Sequence, residues 1–224
     1  MYTVLFDLGN VLINFNHRII SQRLSLCTPE ERQSTSLEDD IHTFIFGDGE
    51  QSSPNVQLDR GTKSIDELHN DVVQQFDIDV SNATFREIWS SIFADELNAD
   101  AIGCLNQLRG HGLNIAICSN TNSAHWIPLL DQHAVLKDLA TNGTCFLSYE
   151  LGKQKADAGF FDGIAEITKS PPSHHLLIDD LDENCRSAES AGMHAILFRP
   201  DVPSDSINRI NEFVNEKGWV GHRE

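Results

Sequence analysis

Basic residues are scarce in this 224-residue chain: 16 Lys and Arg stand against 34 Asp and Glu, a formal net charge of −18. Without a basic face, non-specific binding to nucleic acid or to an anionic membrane has no driving force, and neither is expected as a partner. Long apolar runs are missing too. No stretch approaches the roughly 18 residues of a membrane-spanning helix. The start, Met1-Tyr2-Thr3-Val4-Leu5-Phe6-Asp7, lacks the basic segment of a secretory signal, so a cytoplasmic setting is expected. Cysteine is thinly spread: Cys27, Cys104, Cys118, Cys145 and Cys185 form no CxxC pair, which argues against a disulfide framework or a structural zinc site. The ten histidines form no HExxH or other metal spacing, and His174-His175, just before an apolar run, reads as surface. There is no internal repeat and no low-complexity stretch. With 40% hydrophobic and 22% charged residues the chain is an ordinary globular one, long enough for one large domain or one domain carrying an insertion.

Four short, near-continuous apolar runs are present: Thr3 to Phe6, Asn114 to Cys118, Leu176 to Ile178 and Ala195 to Phe198. Runs of this kind belong to strands buried on both faces of a parallel sheet. Helical spacing separates them. Ala101, Cys104, Leu105 and Leu108 recur at i, i+3, i+4, i+7, as do Phe160, Phe161, Ile164 and Ile167; residues 182–191 and 204–216 read as further helices. The alternation predicts an α/β fold with a doubly wound, mostly parallel, Rossmann-like sheet.

Residues 15–95 have no convincing strand pattern but several helix starts. Thr28-Pro29-Glu30-Glu31 offers an N-cap and a first-turn proline, Ser64-Ile65-Asp66-Glu67 is a capping box, and Ser81 precedes Phe85, Ile88, Trp89 and Ile92 on one face. Residues 47–61 read as an irregular loop. The expected organisation is an α/β core domain from 1–14 and 96–224, with an all-helical cap domain from 15–95 inserted after the first strand.

In open α/β sheets, ligands bind beyond the carboxyl ends of the strands. Strand one ends in Phe6-Asp7-Leu8-Gly9-Asn10, the second in Cys118-Ser119-Asn120-Thr121-Asn122, and the third in Ile178-Asp179-Asp180-Leu181, with Asn184 four residues beyond Asp180. Lys153 and Lys155 lie in the segment between. Carboxylates crowded on one rim repel each other unless a cation lies among them, and hard oxygen ligands suit Mg²⁺ together with a substrate phosphate. Asp7 can then attack phosphorus while Ser119, Lys155 and the ion offset the charge on the equatorial oxygens. Asp179 and Asn184 read as outer supports of the ion, and Asp182 and Glu183 as helix N-terminal charges favoured by the dipole. His17 and Arg18 follow the first motif and are candidates to touch substrate, whereas Phe44, Phe46 and Trp89 read as cap core.

These four motifs, in this order, resemble the haloacid dehalogenase superfamily, in the branch with a helical cap after the first strand. The Asp-Leu-Gly-Asn-Val start and the Ser-Asn-Thr-Asn segment are similar in particular to bacterial sugar-phosphate phosphatases of the glucose-1-phosphate type. The resemblance implies a phosphatase acting on a small phosphorylated metabolite, with Asp7 as nucleophile, Ser119, Asn120 and Lys155 on the phosphoryl group, and Mg²⁺ held by Asp7, the Gly9 carbonyl and Asp180. It leaves the oligomeric state open.

Two departures stand out. Family phosphatases usually carry a second Asp two residues after the nucleophile, to protonate the leaving oxygen and then activate water. Here that residue is Gly9, and general acid–base catalysis is commonly worth a factor of about 10²–10⁴. Counting residue 9 alone, the enzyme should favour substrates with acidic leaving groups. The usual Lys-Pro is Lys155-Ala156, which leaves Lys153 in competition with Lys155. Three other readings accompany the phosphatase. Carbon–halogen hydrolysis suits Gly9 but makes the Asp179-Asp180 pair superfluous. A receiver-type phosphate switch has its acidic pair early in the chain and has no cap. A relative weakened or silenced by Gly9 is the third.

Overall fold

In the computed structural model, which describes residues 1–47 and 52–220, the α/β expectation is realised. The strands are β1 (Thr3–Phe6), β2 (Ile13–Phe15), β3 (Phe93–Leu97), β4 (Asn114–Ser119), β5 (Thr144–Leu147), β6 (His175–Asp179) and β7 (His194–Leu197). A five-stranded sheet has the order β5-β4-β1-β6-β7, and every pairing in it is parallel. β1 is central, and its four residues are all buried because helices cover both faces.

The helices between residues 18 and 90 are α1 (Arg18–Ser25), α2 (Thr35–Phe46), α3 (Pro54–Asp59), α4 (Ile65–Phe76) and α5 (Asn82–Ser90). They enclose a separate apolar cluster built on Ile20, Leu24, Ile41, Leu68, Phe85 and Trp89. The helices after β3 are α6 (Ala99–Gly110), α7 (Ser123–Gln132), α8 (Ala134–Asn142), α9 (Ser148–Leu151), α10 (Phe160–Thr168), α11 (Asp182–Ser190) and α12 (Pro203–Glu216). The capping box is present as expected: the Ser64 hydroxyl accepts from Glu67 N, and the Glu67 carboxylate accepts from Ser64 N. Ser81 caps α5 in the same way through Thr84 N.

Several expectations need correction. β5 was not foreseen, because this edge strand opens on Thr144 and Cys145 and is only four residues long. β2 and β3 form a small antiparallel ribbon where the chain leaves and re-enters the sheet layer, so residues 93–95 are extended although no strand was expected there. Thr28 starts no α-helix. Its hydroxyl donates to Ser25 O at 2.7 Å, and only a 3₁₀ turn, Glu30–Arg32, follows before Ser34 caps α2. The loop expected over 47–61 contains α3; residues 48–51 of it lie outside the described residues. His175 is fully buried, not on the surface: its ring is within hydrogen-bond distance of Pro171 O (3.0 Å) and the Thr168 hydroxyl (2.9 Å), which offsets the cost of burial.

Trp89 ties the apolar cluster of α1–α5 to α7. It is fully buried, stacks on His125 of α7 at 5.0 Å between ring centres, and donates from Nε1 to Asn122 Oδ1 at 3.2 Å. His125 in turn donates to Trp89 O at 3.0 Å. Trp89→Ala is expected to cost about 3–5 kcal/mol through the cavity and the lost stack. Urea unfolding followed by circular dichroism checks this; a loss below about 1 kcal/mol would show that the tryptophan carries little of the packing.

Candidate active site

The carboxyl ends of β1, β4 and β6 face one rim, as a parallel sheet requires. Asp7 leaves β1 there. Its Oδ1 accepts from Leu8 N at 2.7 Å and pairs with Lys155 Nζ at 2.6 Å. The same ammonium pairs with Asp179 Oδ2 at 2.5 Å. Asp179, fully buried at the end of β6, also accepts from Leu181 N (3.0 Å) and Asn184 Nδ2 (2.9 Å) through Oδ1. Asp180 is half-buried, and its Oδ2 accepts from Asn10 Nδ2 at 2.9 Å. Asn10 reaches it from a left-handed backbone, φ 55°, immediately after Gly9. Ligand oxygens of Asp7, Asp179 and Asp180 all lie within 4.8 Å of one another.

The electrostatics follow from burial. Burial pushes the Asp7 carboxyl up to about 7; Lys155 opposes the rise, and Asp179 and Asp180 reinforce it. Burial raises Asp180 as well. Burial also disfavours charge on Lys155, but the carboxylates of Asp179 and Asp7 overcome it and hold the ammonium well above the ordinary lysine range. One buried cation therefore faces three carboxyls. A second, divalent cation fits this set: the donors are hard oxygens, and Asn184 Oδ1 beside them is buried without a hydrogen-bond partner.

The remaining expected residues divide. Ser119 is buried at the end of β4 on the same rim. The Asn120 side chain is spent on the lysine loop, its Oδ1 accepting from Lys155 N at 2.9 Å. Lys153 is exposed and donates to Ala158 O at 3.2 Å, so the geometry distinguishes it from the buried Lys155. Arg18 is exposed and pairs with Asp39.

A small cavity of about 70 Å³ lies above the rim, lined on one side by Gly9, Ser119, Asn120 and Thr121 and on the other by Phe15, His17, Asn55 and Asp59. Two features of it were not foreseen. At Gly9 a Cβ would come within 2.5 Å of Phe15 Cε1, so the ring of Phe15 fills the space over residue 9. Asp59, at the end of α3, is buried and accepts from Asn122 Nδ2 (2.9 Å) and Asn55 Nδ2 (3.1 Å). Neither follows from local pattern: Phe15 reaches residue 9 only through the turn into β2, and Asp59 meets Asn122 across a sequence separation of 63. A wider cleft of about 500 Å³ lies at the opposite, amino ends of the strands, lined by Thr3, Arg109, Asn114 and Thr144, far from the carboxylates.

A family model for haloacid dehalogenase-like hydrolases matches residues 1–192, and the chain belongs to that family of hydrolases. A HAD-like hydrolase of Porphyromonas gingivalis has the same fold, at 22% identity and a TM-score of 0.74, over 96% of this chain and 98% of that one. The HAD family enzyme BT-2542 of Bacteroides thetaiotaomicron, solved in complex with magnesium and inorganic phosphate, matches at 20% identity and a TM-score of 0.68, over 89% and 95%. A curated relative, the drimenol cyclase drtB of Aspergillus calidoustus, is 25% identical over 87% of this chain. The chain spans about a third (33%) of that relative's length. Among the described residues no helix is long and apolar enough to cross a membrane.

Two predictions follow from this geometry. Gly9→Ala should lower stability by about 1–3 kcal/mol by forcing Phe15 aside, and should cost less in a Phe15→Ala background. Thermal melts of the two single variants and the double variant decide it, and strictly additive losses would refute the contact. A carboxyl raised in the folded state is one the fold prefers protonated, so without metal Asp7 withdraws stability as pH rises from its ordinary range through about 7. Magnesium should accordingly raise the melting temperature more at about pH 8, where Asp7 is ionised, than at about pH 5. Asp180→Asn should remove most of that response; a response equal at both pH values would contradict the assignment.

Proposed function

We propose that this hydrolase is a Mg²⁺-dependent phosphatase of a small phosphorylated metabolite, sugar phosphates being the first class to test, and that it acts through an aspartyl-phosphate at Asp7. The observation that carries the reading is the buried Lys155 ammonium between Asp7 and Asp179, with Asp180 completing a trio of oxygen donors within 4.8 Å. With a divalent ion held among these carboxylates, such a rim would gather the negative charge of a phosphoryl group. The magnesium and inorganic phosphate bound by BT-2542, a protein of the same fold, support the reading.

In this reading Asp7, the Gly9 carbonyl and Asp180 hold the ion, and Asp179 orients Lys155. Bound there, Mg²⁺ would neutralise oxygen charge on the phosphoryl group and keep Asp7 ionised at neutral pH. Asp7 then attacks phosphorus in line with the leaving oxygen. Ser119 and the backbone at Asn120 donate to the equatorial oxygens, and Lys155 supplies their positive partner. We further propose residues 15–95 as a cap over a core formed by 1–14 and 96–224. The cavity between them is small, about 70 Å³, and in this reading the cap opens to admit substrate and closes over it. The Arg60–Asp157 pair (2.7 and 3.1 Å) between the end of α3 and the lysine loop, with the Asp59–Asn122 and Trp89–Asn122 hydrogen bonds, is among the contacts such a motion breaks.

A second reading, carbon–halogen hydrolysis through an ester at Asp7, is favoured by one observation: the apolar ring of Phe15 over Gly9. It needs no metal. A phosphate-release screen over sugar, acyl and nucleoside phosphates separates the two. Turnover should require magnesium, stop with chelator and fall by at least about 10³-fold in Asp7→Asn. Turnover of a haloacid that survives the chelator would replace the phosphatase.

A further inference from the structure

Residue 9 has no side chain for acid–base work, and Phe15 occupies the space one would need. The proton must then be handled by a group from elsewhere. The titratable groups lining the cavity over Gly9 and Ser119 are His17, Asp59 and His125. His125 is committed: Nε2 donates to Trp89 O, and Nδ1 accepts from Asn122 at 3.3 Å. His17 stacks on Phe46 at 4.4 Å, and burial holds it down to about 4, so its acid form is scarce at neutral pH. Asp59 is left.

Resting on the phosphatase reading above, we propose that Asp59, delivered by α3 of the helical segment, is the proton donor and acceptor that residue 9 cannot be. In the first step protonated Asp59 gives its proton to the ester oxygen as that P–O bond breaks and the bond from Asp7 to phosphorus forms. The alcohol leaves. In the second step ionised Asp59 takes a proton from water as the water oxygen bonds to phosphorus and the Asp7–phosphorus bond breaks. Inorganic phosphate leaves, and both carboxyl groups return to their starting states.

The surroundings of Asp59 suit both of its forms. Ionised, it accepts from the amides of Asn122 and Asn55, with Gln154 as a further donor. Protonated, it needs an acceptor, and Asn55 Oδ1 is buried with no partner. Rotating the Asn55 amide half a turn presents that oxygen to the acid. Burial raises Asp59 to about 6, within reach of both states near neutrality, as proton transfer in two directions requires.

A merely structural Asp59 would be a tie between α3 and Asn122, so the test separates proton transfer from tying. The parameter is kcat/KM, which reports the first transfer, for an alkyl phosphate and for dinitrophenyl phosphate. In Asp59→Asn the alkyl ester should lose at least about 10²-fold and the dinitrophenyl ester less than about 10-fold, because its leaving group departs unaided. With dinitrophenyl phosphate the variant should also accumulate phosphorylated Asp7. Asn122→Ala, which breaks the same tie but keeps the carboxyl, should lower both substrates alike. Equal losses on both substrates in Asp59→Asn would overturn the proposal. If that variant does not fold, the wild-type protein decides. A shallow dependence of kcat/KM on leaving-group acidity supports Asp59 as donor, and a steep one, the mark of unassisted departure, overturns it. A wild-type protein that never phosphorylates Asp7 removes the phosphatase reading and this proposal together. Wild-type phosphorylation with substrate-independent losses in Asp59→Asn removes this proposal alone.

Discussion

A single buried ammonium organises the rim. Lys155 touches Asp7 at 2.6 Å and Asp179 at 2.5 Å, and all three groups are withdrawn from water. Removing a lysine from water is costly unless carboxylates repay it at close range. Here they do, and that obligation dictates much of the local architecture. Asp179 must be fixed, so Leu181 N and the Asn184 amide hold its other oxygen. The lysine must arrive from a loop, so Asn120 pins that loop by its backbone. Asp180, half-buried, is left for a different partner and is held by Asn10. One cation for three carboxyls leaves the rim short of positive charge, which is why burial and mutual repulsion drive Asp7 upward. The shortfall suits a divalent ion and a phosphoryl group arriving together.

The helical segment completes the site instead of merely covering it. Phe15 seals the space over Gly9, and Asp59 and Asn55 bring amide and carboxyl chemistry to the same cavity from the other side. The Asp59–Asn122–Trp89 hydrogen bonds and the Arg60–Asp157 pair join this segment to the sheet layer at several points. In the proposed reading, closure and assembly of the site would be one event.

How much of this was legible in the sequence depended on range. The buried strands were readable because each run is apolar along its length, and Asp7, Ser119 and Asp179-Asp180 sit immediately after such runs. Lys153 and Lys155 are alike in the sequence, since both lie in one loop and only their burial separates them. β5 was hidden by its polar start, and the β2–β3 ribbon by a register irregularity between Ile13 and Phe15. Thr28 looked like a helix cap but turned its hydroxyl backward to Ser25. Asp59 and Phe15 were out of reach for a common reason. Their meaning lies in contacts with residues 122 and 9, and nothing within a turn of either announces such a partner.

The central claim is that the Asp7 carboxylate accepts a phosphoryl group beside Lys155. A single turnover in water enriched in heavy oxygen tests it most directly, with acid quenching and mass spectrometry of the peptide that contains Asp7. The account predicts a transient peptide one phosphoryl group heavier, and heavy oxygen in the released phosphate but not in the Asp7 carboxylate. Heavy oxygen incorporated into Asp7 itself, or product formed with that peptide never phosphorylated, would contradict it.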